Sequence, residues 1–296
     1  MPCSSRACRV HADTISSSLP RQVEPQSHST DHSRKITPFL GIIENMRVYA
    51  AGPLMVYGEG GLLHERSLPG AQGRLLLAML AVEHRRPLSR DELADELWPH
   101  GLPRSWETAL RALVSKLRAA LGRAGTCPDG IIANAFGCYQ LQLPRNGWVD
   151  VDAARDALHA ARSGLVRGDA AAAVTHARVT TLICRRPFLA GHYGAWTLAK
   201  RDHLHELDCE AEECLADAFA ELGRHRLSAR SAAAALAIDP YREGLHQRLI
   251  RSHVQAGDHA AAARARARCR ELFECELGVQ PTEATISLLD GAAFTE

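Results

Sequence analysis

Short β-like runs, three helices and a hairpin, followed by a series of alanine-rich helices jointed at glycines, predict a mainly α-helical chain in two parts. The order of the first part predicts an N-terminal winged helix-turn-helix, helical with a small β-sheet and a wing hairpin. The second part predicts a TPR-like α-helical repeat domain. Two of its joints, Gly223 and Gly257, stand 34 residues apart, the period of tetratricopeptide helix pairs. A chain of 296 residues has room for both, each with its own core.

Residues 1–45 are rich in Ser, His, Pro and Gln and hold few apolar residues. Such a segment cannot bury enough surface to offset its ordering entropy, so a disordered tail is expected. Met46 opens a clean apolar alternation. A natural start at Met46, with the preceding segment an extension added in assigning the reading frame, is the alternative. The winged helix is placed at 46–146 and the helical repeats at 147–292.

Within 46–66, Gly52-Pro53 and the glycines from Gly58 to Gly61 break the chain into two or three short β runs. A helix follows from Ala71 to Glu83, apolar nearly all round, which implies burial between other elements. Ser89 and Glu92 have capping-box spacing ahead of a short helix from Arg90 to Leu97. Pro99 disfavours helix in the residue before it and stops that helix. Pro103 is suited to start the next, which runs to Gly122. Beyond it, Ile131 to Leu143 holds two β runs around a turn near Asn134 to Gly137, with Tyr139 assigned to the core. From Val149 onward helices are expected at 150–164, 169–183, 195–222, 225–238, 241–256 and 258–275.

The helix over 103–122 carries the functional reading. Leu110, Leu113, Val114, Leu117 and Leu121 form one apolar stripe. The opposite face reads as Arg104, Ser105, Thr108, Arg111, Ala112, Ser115, Lys116 and Ala119: cations, small hydroxyls and alanines, with no long acidic side chain. A duplex major groove accepts one helix with such a surface. Arg111 is assigned to a guanine edge, where an arginine makes two hydrogen bonds. Lys116 and Arg118 are assigned to phosphates, and Arg104, Thr108 and Ser115 to the same groove. Asn134 reads first as a turn former and, as the alternative, as a DNA-binding residue at the minor groove. Trp106 is expected to pack at the helix start. A solvated basic face on an ordinary amphipathic helix is the simpler reading of this segment taken alone; its neighbours favour the reader of DNA.

Bulk properties narrow the class. The formal net charge is +1, but residues 46–146 carry net +3 and residues 147–296 net −3, which makes the first part the better polyanion binder. Nine scattered cysteines form no C-x-x-C and no zinc-finger spacing, as expected of reduced thiols. No apolar run reaches the ~20 residues of a membrane span, and no signal-peptide core is present. The expectation is a soluble, cytoplasmic protein with no membrane partner. No phosphate-binding G-x-x-x-x-G-K-[ST], H-E-x-x-H or G-x-S-x-G occurs, so no cofactor, no metal and no enzymatic activity are expected. Arg264, Arg266, Arg268 and Arg270 alternate along one helix and read as solvated surface. Trp196 and Arg201 read as stabilising a helix pair, with a bridge to the winged helix as the alternative.

Several strings carry a resemblance. In the first part they are GRLLLAMLAVEHRRPLSRDELADELWP, ETALRALVSKLRAALG and GCYQLQLP. In the second they are WTLAKRDHLHEL, the string Asp239-Pro240-Tyr241-Arg242-Glu243, and the closing Glu276-Leu277-Gly278-Val279-Gln280-Pro281. Over Met46 to Leu289 the chain resembles the Streptomyces antibiotic regulatory protein (SARP) family, which joins an OmpR-type winged helix to a bacterial transcriptional activator domain. The resemblance implies a transcriptional activator of antibiotic or other secondary-metabolite genes. It would bind direct repeats in double-stranded promoter DNA and recruit RNA polymerase. Two molecules would then lie in tandem on the DNA, with half-sites about 10–11 bp apart. The chain departs from the family pattern in its wing tip, Ala133 to Gly137, which has no Lys or Arg, and in Ala112 and Ala119 on the reading face. Two other readings fit the same residues: a helical-repeat scaffold for a protein or ligand, with a degenerate winged helix, and a repressor.

Overall fold

A computed structural model describes residues 45–126 and 128–289. Apart from Asn45, the expected tail lies outside the described residues.

The chain opens with β1 (Arg47–Tyr49), β2 (Met55–Gly58) and β3 (Gly61–His64), an antiparallel meander. Val48 pairs with Val56 and Val56 with Leu63, so one face of the meander is a buried apolar row. Next, α1 (Gly70–Val82) buries every residue from Leu75 to Ala81, as its all-round apolar surface requires. Then come β4 (Leu88–Ser89) and α2 (Arg90–Leu97). The Ser89 hydroxyl accepts from the Glu92 amide at 3.0 Å, which caps α2. The Glu92 carboxylate takes the Arg86 guanidinium at 2.6 Å, a charge-assisted bond, and the Ser89 backbone adds a weaker pull on the same carboxylate, as a capping box does.

The basic helix α3 (Trp106–Gly122) begins three residues later than Pro103 suggests, because Pro103 to Ser105 form a turn whose first carbonyl receives the Trp106 amide. A short α4 (Pro128–Ile131) leads into β5 (Ile132–Ala135) and β6 (Cys138–Leu141), the wing hairpin. β4 pairs with β6, so a second sheet runs β4-β6-β5. Tyr139 is buried against the core. One element had no readable pattern: β7 (Trp148–Val149) pairs in parallel with β1 and closes the first sheet in the order β3-β2-β1-β7.

The remainder is helical: α5 (Asp150–Val166), α6 (Ala170–Cys184), α7 (Ala195–Glu221), α8 (His225–Ile238), α9 (Glu243–Gln255), α10 (His259–Arg270) and α11 (Glu283–Leu289). A π-helical stretch, Glu271–Glu276, continues α10 where an uninterrupted α-helix was expected. Successive helices pack as pairs, α5 on α6, α7 on α8, α9 on α10. Two joints use one device. Gly168 and Gly257 adopt positive φ, 73° at each, which ends the preceding helix. The following Asp169 and Asp258 then cap the next helix through the amides of Ala172 and Ala261.

The two parts are joined through buried carboxylates. Asp150, at the start of α5, accepts the amides of Ala50 at 2.8 Å and Ala51 at 3.0 Å, just past β1. Burial pushes its carboxyl up to about 6, against the pull of those amides. Glu96 of α2 reaches the N-terminus of α7, which has only a glycine, Gly194, at its cap position. There the carboxylate accepts the amides of Trp196 and Thr197, each at 3.2 Å, and the Thr197 hydroxyl at 3.0 Å. A side chain from another helix thus does the capping, and the carboxylate also meets the positive end of the α7 dipole. Glu83 accepts the Trp196 indole N–H at 3.1 Å and lies 2.7 Å from the Lys200 ammonium. Trp196 therefore bridges to the winged helix. Arg201 does not: its guanidinium binds the carbonyls of Phe188, Leu189 and His192 within the helical part.

Candidate nucleic-acid interface

The 3.6-residue period of α3 separates two faces. Leu110, Leu113, Val114, Leu117 and Leu121 are buried. Thr108, Arg111, Ala112, Ser115, Lys116 and Ala119 are exposed. Arg104 is exposed too, in the turn before the helix. Among the described residues, Arg104 and Lys116 have no ion pair, so both charges stand in water.

Arg111 differs from expectation in one respect. The face was read as free of long acids, yet Glu107 sits one turn before it. The Arg111 guanidinium donates to the Glu107 carbonyl at 3.2 Å and lies 3.4 Å from its carboxylate. Both side chains are more than half exposed. A helical i,i+4 pair of this kind contributes only about 0.3–0.5 kcal/mol, so little holds Arg111 back from another partner.

Arg118 is turned away from solvent. Its guanidinium donates to the Ile132 carbonyl at the root of the wing, and it is half-buried. Its Nε is buried with no hydrogen-bond partner among the described residues. The expectation of a phosphate contact placed this side chain in water; α3 and the wing enclose it because the Ile132 carbonyl offers an acceptor within reach. Asn134 is exposed on β5, across from Tyr139. At the wing tip, Phe136 and Gly137 form a two-residue turn in which the Phe136 ring is wholly exposed. The missing cations of the tip are visible in the sequence; the exposure of this ring is visible only in the fold.

Apart from Glu107, three acidic groups of this part are held on its other side. Glu83, Glu92 and Glu96 are tied into ion pairs or helix caps on the α1–α2 side. Burial alone would raise the Glu83 carboxyl, but hydrogen bonds from Lys200, Trp196 and Arg86 hold it at about 2. In the helical part, Arg268 pairs with Glu271 at 3.2 Å and Glu276 at 2.8 Å, so its own charge is balanced locally. Among the described residues, no three His, Cys, Asp or Glu side chains gather as a metal set, and no helix is long and apolar enough to cross a membrane.

Comparison with known proteins agrees with this architecture. Residues 149–290 match the family model of the bacterial transcriptional activator domain. Residues 68–141 match the model of the C-terminal domain of transcriptional regulatory proteins. The chain belongs to the SARP-type transcriptional regulators. Both of its families are regulators rather than enzymes. This SARP-type chain is 37% identical over 73 residues to the transcriptional regulatory protein EmbR of Mycobacterium bovis and of Mycobacterium tuberculosis, over 25% of its own length and 19% of theirs. The solved structure of Mycobacterium tuberculosis EmbR in complex with a low-affinity phosphopeptide superimposes with a TM-score of 0.72 at 25% identity. That match covers 84% of this chain and 64% of the EmbR chain. The regulator thus spans about a fifth of the length of the curated relatives it matches.

Proposed function

We propose that this SARP-type chain is a sequence-specific DNA-binding transcriptional activator of secondary-metabolite, in particular antibiotic, biosynthesis genes. It reads direct repeats as a tandem pair and recruits RNA polymerase. The observation that carries the reading is the exposed side of α3, which presents Arg111, Lys116, Thr108 and Ser115 together while its leucines are buried. Arg111 reads a guanine edge in the major groove. Lys116 and Arg104 meet phosphates and set the register. Thr108 and Ser115, being short, let the helix backbone come close to base edges. Arg118 contributes by holding the root of the wing, which brings Asn134 toward the flanking groove.

Footprinting of the full chain on duplexes taken from upstream of its own and neighbouring genes, followed by transcription in vitro with RNA polymerase, tests the reading. Two protected half-sites about 10–11 bp apart and increased transcript are expected. A protected site with reduced transcript would make the protein a repressor, and no protection on any duplex would overturn DNA binding itself.

A further inference from the structure

The wing tip carries a residue that the fold does not explain. Ala135 pairs with Cys138, so Phe136 and Gly137 alone make the turn between β5 and β6. Both have positive φ, 50° for Phe136 and 77° for Gly137. Two successive positive values define the mirror-image turn of a tight hairpin, whose first central position favours Asn, Asp or Gly. Other side chains are disfavoured there, and bulky ones most. Nor does packing compensate: the Phe136 ring is wholly exposed. Folding therefore gives two reasons against phenylalanine at this position and none for it. Residues held in such conformations concentrate where a ligand is engaged.

The neighbourhood indicates what the ring meets. Ala133, Asn134, Ala135, Gly137 and Cys138 are all small or short, so the ring stands alone on a narrow tip. No cation flanks it. Arg118 follows Arg111 by seven residues and Ser115 by three, which sets it on their side of α3. Its bond to the Ile132 carbonyl thus roots the wing beside the reading face. Phe136 lies four strand residues beyond Ile132, about 13 Å farther out. With α3 in a major groove, a tip displaced by that distance meets the adjacent minor groove. Phenylalanine is a recurrent minor-groove wedge, and it enters where base steps unstack at low cost.

We propose that Phe136 inserts into the minor groove beside the site read by α3 and partly unstacks one base step there. This deepens the DNA-binding reading and rests on it. The preferred step is a flexible pyrimidine–purine one, TA or CA, at a fixed offset from the α3 contacts. The wing then contributes specificity through deformability, with no charge on its tip.

The test uses the full chain, its footprinted duplex, and versions carrying 2-aminopurine at successive steps beside the footprint. Phe136→Asn places the favoured residue in the turn, so this variant should be at least as stable to denaturant as the parent. It should bind about tenfold more weakly, the scale of one lost aromatic–base contact. The parent should raise 2-aminopurine fluorescence at a single step; Phe136→Asn should not, and Phe136→Trp should. Replacing that step by AA should weaken the parent and leave Phe136→Asn unchanged. If Phe136→Asn matches the parent in affinity and fluorescence, the wedge is refuted while DNA binding stands. If it keeps parental DNA binding but loses transcription activity, the ring meets protein and the wedge is equally refuted. A parent chain that binds no duplex overturns both.

Discussion

On the side of α1 and α2 that faces the helical part, charge is enclosed. Glu96 is buried on the N-terminus of α7, Glu83 is held by Trp196, Lys200 and Arg86, and Asp150 answers two backbone amides from the other direction. On the α3 side, charge is left open. Arg104 and Lys116 stand in water, and Arg111 has only a loose, exposed acid beside it. A formal net charge of +1 hides this segregation. Glu83 and Glu96 of the winged helix are spent on joining the two parts, and the cations of its α3 side remain for a partner. Charge distribution, rather than its sum, is what marks this chain as a candidate polyanion binder.

The contrast predicts that the enclosed side governs stability and the open side governs binding. The largest effect is expected at Glu96. Glu96→Ala strips the cap from α7 and leaves two amides and a buried hydroxyl without their acceptor, so it should cost about 3 kcal/mol in chemical denaturation. A Cβ on Gly194 would fall 2.0 Å from the Glu96 carboxylate. Gly194→Ala should therefore displace the same carboxylate, and the double variant should be little worse than Glu96→Ala alone. Full additivity would mean that the two residues do not share one contact.

Next in size is Arg111→Ala. It should weaken binding to the footprinted site by about 1–3 kcal/mol and relax preference at one base position. Stability should change by less than about 0.5 kcal/mol, since the side chain is exposed. A variant that binds and discriminates as the parent does would remove Arg111 from the reading role. Arg118→Met should behave in between, costing about 1 kcal/mol of stability through the lost bond to Ile132. Amide exchange should then quicken in β5 and β6; unchanged exchange there would show that the wing is anchored by other contacts.

The smallest effect is on pH dependence. The Glu83 carboxyl is depressed from its ordinary 4.5 to about 2, so its ionised form contributes stability that is fully present above about 4.5. That contribution is lost as pH falls toward 2. Glu83→Gln should flatten the acid limb of the stability profile in this window and leave stability near pH 7 least dependent on pH. A parent and variant with parallel acid limbs would place the depression elsewhere.

Much of the fold was legible because its signals are local. Ser89 sits one position before its helix, the Gly-Asp joints hold both a stop and a cap in two residues, and the leucine stripe of α3 follows its period without interruption. What the sequence did not disclose depends on distant partners. Glu96 and Thr197 are far apart in the chain, and neither carries a mark of the other. Arg118 reads as one more cation on a basic helix until the Ile132 carbonyl is placed beside it. β7 is two residues long, too short for any alternation to show. Phe136 has a local sign, a bulky residue just before glycine in a tight hairpin, but its positive φ depends on the two-residue turn that the pairing of Ala135 with Cys138 imposes.

The central claim is that the open side of α3 binds duplex DNA through its cations. Fluorescence anisotropy of a labelled, footprinted duplex, titrated with the full chain from about 50 to about 200 mM salt, tests it most directly. Log affinity should fall linearly with log salt, and Lys116→Ala should reduce the slope by about one. An affinity indifferent to salt, or a slope unchanged by loss of Lys116, would contradict the account.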